Sequence, residues 1–474
     1  MIIPPKPYNR FIKNKKEIEV LGGYLLNDEE YTDYLIKQKW DMNVQTKILN
    51  KNIIYDMVNN INSVAYKINT LVLDFILNNY KKYNLLIDLD FEHPLTLKTK
   101  LNYKEKIELE SFFSKRDLEQ NILGLGNIFR NVPKFYLPIR LDFRGRINCV
   151  SEYLNYQGTE LAKSLLLFSK PDKVKKTDII SINYLKIFWA NCFGLDKLSF
   201  NDRIKWIEDN LENIKNFENG ILISKAENKL LFIAFCFEFN NYLNSLKNEC
   251  SYFETHLPIQ LDASCNGFQH LTLLIRDLSL SKELNLTESK WSDTPKDFYS
   301  FVLLKIKNFF NKELKNNKNL TKEEKKSYKK LALLENDRKL VKRVIMTIPY
   351  NATLFSITKY IKENFNFIEK DHYILKNDNN IIFNEIDFQS IRKALIRVLF
   401  RDYTGLKNLI EYLKDIAKIS NELDIQIPWI LPSGLRVQQR YNSTRKIKVK
   451  PFPVTGIFVF FLSNEENLTI VIIP

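Results

Sequence analysis

Cysteine is scarce in this chain: five residues, at 149, 192, 236, 250 and 265, widely spaced and never arranged as Cys-x-x-Cys. That spacing argues against a zinc ribbon or a disulfide framework, and reads as reduced, mostly buried thiols in a non-secretory compartment. No apolar run approaches the roughly 18 residues a membrane span requires, so no membrane partner is expected. The opening Met-Ile-Ile-Pro-Pro-Lys-Pro-Tyr has neither an apolar signal core nor an Arg/Ser-rich amphipathic presequence. Acidic residues are also in deficit. Lys and Arg number 71 against 56 Asp and Glu, a net charge of +15, which favours a polyanionic partner and salt-sensitive binding. A merely soluble basic protein would carry the same balance.

What is present is an ordinary globular composition, 45% hydrophobic and 27% charged over 474 residues. A chain of that size buries a large core in two or three domains or subdomains. Asn, Lys, Ile, Leu and Phe are abundant. Their codons are AT-rich, and with no import signal this points to a gene carried inside an organelle.

The stretch His256–His270 organises the rest. Leu257 to Leu261 reads as a short apolar strand bounded by Pro258, and Ser264, Asn266 and Gly267 punctuate a tight turn. Phe268, Leu271, Leu274, Ile275 and Leu278 then follow helical spacing. Asp262, at the strand end before a helix, suits a hard cation and phosphate oxygens; it also suits a helix cap. In Arg338-Lys-Leu-Val-Lys-Arg-Val-Ile-Met-Thr-Ile-Pro-Tyr-Asn351, residues Arg338, Lys342 and Met346 share one helix face. Two cations a turn apart repel unless an anion such as a triphosphate joins them; a wet helix surface is the plainer alternative. Pro349 stops that helix and leaves Tyr350 just beyond it. In Pro138–Asn148, Arg140, Arg144 and Arg146 alternate with apolar residues as on a strand with cations on one face, and Gly145 allows close backbone approach. Asp142 pairing with an Arg on a solvated face explains the same pattern.

These words closely resemble a known family. Leu261-Asp-Ala-Ser-Cys-Asn-Gly-Phe-Gln-His270 resembles the first catalytic palm motif of single-subunit DNA-directed RNA polymerases, the bacteriophage, mitochondrial and mitochondrial-plasmid group. Asp142-Phe-Arg-Gly-Arg146 is similar to the block that contacts template and hybrid, although Asn148 stands where the family often has Tyr. Arg338-x-x-x-Lys-Arg-x-x-Met-Thr-x-x-Tyr350 matches the fingers-helix motif, with Asn351 in place of the Gly common in phage members. The likeness covers about residues 60 to 450.

The resemblance implies an α-rich α/β right-hand architecture with palm, fingers, partial thumb and a truncated palm. Residues 1–115 would hold an N-terminal remnant and reduced thumb, 116–280 the palm, 281–420 the fingers, and 421–474 a hairpin leading to the specificity-loop region. Asp262 would bind Mg²⁺, Lys342 would contact the incoming nucleotide and protonate pyrophosphate, and Arg338 and Arg343 would bind its phosphates. Tyr350 would sit by the templating pair and exclude deoxynucleotides, while Arg144 and Arg146 would hold template and hybrid. The implied partners are double-stranded DNA, an RNA transcript, nucleoside triphosphates and an unidentified accessory transcription factor, in a mitochondrion. A DNA polymerase would also use Asp262 and Lys342; the Asp-Phe-Arg-Gly-Arg block and Tyr350 favour RNA.

One part of the pattern breaks. The family's second metal carboxylate lies in a His-Asp-Ser hairpin, and none of the four histidines here, at 93, 256, 270 and 372, precedes an Asp. Val454–Leu462 and Leu468–Pro474 are instead two apolar, β-prone runs. An inactive nucleic-acid-binding remnant is therefore the competing expectation.

Smaller elements follow from local pattern. Asn62–Ile76 reads as one helix with Val64, Ile68, Leu71, Phe75 and Ile76 as its stripe; residues 1–60 contain further helix. Thr294 reads as an N-cap before Pro295, Thr321-Lys-Glu-Glu324 as a capping box, and Ile425–Tyr441 as a hairpin about Pro-Ser-Gly. The aromatics of Phe232–Phe239 read as core.

Overall fold

A computed structural model describes residues 2–13, 16–20, 36–37, 51–88, 91–142, 144–334, 338–368, 372–376, 378–423, 425, 427–438, 458–464 and 467–473. The protein is a helix-rich α/β structure with small sheets of two or three strands. The basic segment 445–450 and residues 454–457 and 474 of the C-terminal apolar runs lie outside the described residues; the rest of those runs forms an antiparallel pair, Phe458–Asn464 with Asn467–Ile473.

Two large apolar clusters divide the chain. The first joins the strand Ala65–Ile68 to the helices Thr70–Tyr83, Ile179–Phe193 and Lys229–Leu246, around the fully buried Trp189, Phe232 and Phe235. Each such aromatic contributes about 2–3 kcal/mol by leaving water. The aromatics of Phe232–Phe239 are thus core on the face that carries 232, 235 and 239. The second cluster joins the helices Asn266–Ile275, Phe298–Asn316, Lys339–Thr347 and Glu385–Arg401 through Phe268, Val302, Val344 and Phe388. A third, small cluster packs the helix Lys51–Asn62 and Leu435 against Ile139 and Leu141. The chain passes from the first cluster to the second across 254–267, the stretch that carries Asp262. The helix Tyr103–Ile128 runs across the expected boundary at 115/116, and the second cluster already begins at Phe268, ahead of the expected 281.

Several local expectations change. Leu257–Leu261 is not a strand: the strand is Tyr252–Thr255, paired with Asp172–Lys175. Pro258 offers no amide donor to extend the ladder, and Ile259 and Leu261 are exposed, so the apolar run has no sheet to join. Asn62–Ile76 is not one helix either. Ala65–Ile68 pairs with Phe135–Tyr136 and Leu166–Phe168, and Asn69 opens a new helix by accepting from the Val72 amide. Leu71 is consequently exposed, while Val72, Leu73, Phe75 and Ile76 are buried. Within the described part of 1–60, only Lys51 onward is helical; Asn9–Lys13 and Lys16–Val20 form a strand pair. Pro138–Asn148 folds as a hairpin, Ile139–Asp142 against Ile147–Cys149, with Arg144 and the left-handed Gly145 (φ 80°) in the turn. The N-cap of the 298–316 helix is Asp297, not Thr294, because the Asp297 carboxylate reaches the Tyr299 amide. The capping box at Thr321 and the hairpin around Pro-Ser-Gly, Pro428–Ile430 with Arg436–Gln438, form as read.

Candidate active site

A cleft of about 400 Å³ opens beside the second cluster, with Asp196 and Lys197 also on its lining. Its lining includes Asp262 to Phe268 on one wall and Arg338, Lys342, Met346, Pro349 and Tyr350 on the other. The residues singled out from two separate sequence words thus face one space.

The cationic wall follows from helical spacing. Val341, Val344 and Ile345 are buried on one side of the Lys339–Thr347 helix, which leaves Arg338, Lys342 and Met346 to the cleft. The helix passes at Ile348 into a 3₁₀ turn, Ile348–Tyr350, carrying Pro349. Asn351 closes it with φ 61°, a left-handed conformation that Asn tolerates where most residues do not. Tyr350 is 67% exposed at the rim. Lys342 has no hydrogen-bond or ion-pair partner among the described residues. Arg338 donates through Nη1 to Asp297 Oδ2 at 3.1 Å. Partial burial acts to raise the Asp297 carboxyl, but hydrogen bonds from Ser300 and Arg338 and the Arg338 charge prevail and hold it below the usual range.

The carboxylate wall has no regular structure from His256 to Ser264. Asp262 is exposed, and its Oδ1 accepts from the Ala263 amide at 2.8 Å. Cys265 turns the chain with φ 61°, and the helix Asn266–Ile275 begins after it. Burial pushes the Cys265 thiol up, and the same cause pushes up its hydrogen-bonded neighbour Tyr299. Gly267 lets the two walls touch: a Cβ there would lie 3.1 Å from Pro349 Cβ.

Other expected residues lie elsewhere. Arg343, one position past Lys342, points off the cleft to pair with Glu363 and stack on the Tyr360 ring at 4.7 Å. Arg144 and Arg146 sit on the hairpin beside Leu431 and Leu435, outside this lining. Arg144 donates to Asp142 Oδ2 through both Nε and Nη2, at 3.1 and 2.8 Å, while the Arg146 backbone amide bonds Asp142 Oδ1. The cleft also brings in Asp196, Lys197, Glu283, Lys296 and Asp297, none given a role by sequence motif. Asp297 was legible only as a polar residue before a long helix.

Among the described residues no three His, Cys, Asp or Glu gather into a metal cage. Mg²⁺ uses one or two carboxylates together with substrate phosphates and water, and the exposed carboxylate of Asp262 fits one such ligand. Among the described residues no helix is long and apolar enough to cross a membrane.

Comparison with known proteins bears on what this cleft is. The sequence profile of the family described as DNA-dependent RNA polymerase matches residues 175–466. A probable DNA-directed RNA polymerase of Podospora anserina is 50% identical over 95% of this chain and 47% of its own length. One of Neurospora crassa is 34% identical over 99% of this chain and 52% of its own. The mitochondrial DNA-directed RNA polymerase 1 of Arabidopsis thaliana is 27% identical over 87% of this chain and 42% of its own. The chain spans about half the length of these curated relatives. With the profile covering more than half of its residues, on both sides of the cleft, the chain belongs to the phage- and mitochondrial-type, single-subunit DNA-dependent RNA polymerase family.

Proposed function

We propose that this cleft is the nucleotide-addition site of a DNA-directed RNA polymerase, which transfers ribonucleotides from triphosphates to an RNA 3′ end on a DNA template. The observation that carries the reading is that Asp262 and Lys342, 80 positions apart in the chain, line one cleft. The first apolar cluster then corresponds to palm and the second to fingers, and the setting is mitochondrial or mitochondrial-plasmid transcription.

In this reading Asp262 would hold a Mg²⁺ arriving with the triphosphate, and such an ion would lower the pKa of the attacking 3′-hydroxyl and neutralise phosphate charge. Lys342, without another partner among the described residues, sits against the triphosphate, offsets the charge growing on the leaving pyrophosphate and supplies its proton. Arg338 offers a planar fork to phosphate oxygens. Tyr350, exposed at the end of its 3₁₀ turn, stacks by the templating pair and reads the sugar. Arg144 and Arg146 track the template and hybrid from the neighbouring hairpin, and Arg343 serves the cleft only indirectly, through the packing of its helix.

The test is extension of a labelled RNA primer on a DNA template with ribonucleotides and Mg²⁺, comparing wild type with Asp262→Asn and Lys342→Met. Loss of about 10²-fold or more in each variant is expected. Equal extension by wild type and Asp262→Asn would retire the reading. No extension by any of them, with salt-sensitive template binding retained, would instead favour the binding remnant.

A further inference from the structure

We propose that Asp297 is the positioning residue for the triphosphate: it anchors the Arg338 guanidinium through one nitrogen and leaves the other donors to the cleft. The proposal rests on the nucleotide-binding reading above and adds a residue that no sequence motif marked. Asp297 and Arg338 both line the cleft, yet stand 41 positions apart in the chain. The carboxylate takes three donors. Oδ1 accepts from the Tyr299 amide at 3.2 Å, and Oδ2 from the Ser300 hydroxyl at 2.8 Å and Arg338 Nη1 at 3.1 Å. Capping the 298–316 helix needs only the first two. The third ties the start of that helix to the start of the helix carrying Lys342.

Arg338 has five N–H donors, of which this pair uses one at Nη1. The guanidinium is a rigid plane, so fixing one nitrogen also fixes the directions of the others. A phosphate meeting an aligned fork loses less in ordering the side chain than one meeting a swinging arginine. An opposing effect exists, since a carboxylate repels phosphate. Here Asp297 is only 19% exposed and its charge is already matched by Arg338, so loss of the anchor outweighs relief of repulsion.

Among the described residues Lys342 has no such tether, which fits a residue that must follow the leaving group. Of the remaining cations on the lining, Lys197 is already paired with Asp196, and the Lys296 side chain has no anchoring partner among the described residues. Arg338 is therefore the cation that the fold holds in place for the triphosphate.

Asp297→Asn is the informative change, because Asn caps a helix as well as Asp does while the charged link is removed. Binding of ATP and of AMP, each with MgCl₂, is measured by calorimetry on the full chain. Wild type, Asp297→Asn, Arg338→Gln and the double variant are compared, with thermal unfolding alongside. Asp297→Asn is expected to weaken ATP binding about three- to tenfold and leave AMP binding and the unfolding temperature unchanged. Arg338→Gln should weaken ATP at least as much, and the double variant should match Arg338→Gln within twofold. Unchanged or tighter ATP binding by Asp297→Asn overturns the proposal, as do additive losses in the double variant or equal losses for ATP and AMP. Failure of wild type to bind ATP, or indifference to Arg338→Gln, sinks the nucleotide reading itself and the proposal with it.

Discussion

Gly267→Ala tests how tightly the two walls of the cleft are joined. The new Cβ would lie 3.1 Å from both Pro349 Cβ and Cγ, whereas ordinary contact begins at 3.4 Å. Pro349 cannot rotate away, because its ring is fixed and it terminates the helix that carries Lys342. The walls must therefore separate by a few tenths of an ångström. Overpacking of this kind costs about 1–3 kcal/mol, and replacing a helical Gly by Ala recovers at most about 1 kcal/mol. The net expectation is a loss of about 0–2 kcal/mol by urea titration. Function should suffer more than stability. A displacement of about 1 Å can cost roughly 10²-fold in rate, so a shift of half that predicts about tenfold slower primer extension. Gly124→Ala supplies the control. It lies exposed in the helix Tyr103–Ile128 with nothing within 4 Å of its added Cβ, so it should gain about 0.5–1 kcal/mol and leave extension unchanged. If Gly267→Ala stabilises as much as Gly124→Ala and extends primers normally, the close contact and the argument from it are wrong.

Three further outcomes follow from other parts of the fold. Lys330 donates to the Ile382 carbonyl at 2.8 Å and pairs with Asp387, whose side chain is 1% exposed; Lys330→Met strands that charge and should cost about 3 kcal/mol in denaturant midpoint analysis. Glu238 is raised by burial, against opposing hydrogen bonds from Thr255 and Asn241. A raised folded pKa means that its contribution is full below the unfolded value of 4.5 and is lost as pH rises through the folded value. Glu238→Gln should accordingly unfold at a higher temperature than wild type at pH 8, with the gap closing toward pH 4.5; a gap constant with pH contradicts this. Arg146 is exposed on its hairpin, and Arg146→Ala should weaken DNA binding while lowering the salt slope by about 0.9 for the one phosphate lost. An unchanged slope in a filter-binding titration would remove Arg146 from the template path.

The cationic wall was legible because one helix turn is a local rule. The spacing 338, 342, 346 sets a shared face, and the buried Val341, Val344 and Ile345 supply the opposite one. Arg343 shows the limit of matching words. It belongs to the same motif as Lys342, yet a step of about 100° around the helix carries it to Glu363. The strand expected at Leu257–Leu261 failed for a different reason. Apolar composition cannot create a ladder, and Asp172–Lys175 pairs instead with Tyr252–Thr255. Asp297 escaped notice because a contact across 41 residues leaves no signature in either segment.

The position of Asp262 is set from its two ends rather than by secondary structure of its own. At the near end, His256 Nδ1–H donates to the Phe168 carbonyl at 2.7 Å, which leaves Nε2 to accept from Lys67 Nζ at 3.1 Å. That fixes the segment to the edge of the first core. At the far end, Cys265 begins the helix whose Gly267 abuts Pro349, so the same segment is also fixed to the second. A substitution at either anchor therefore acts on Asp262 without touching it.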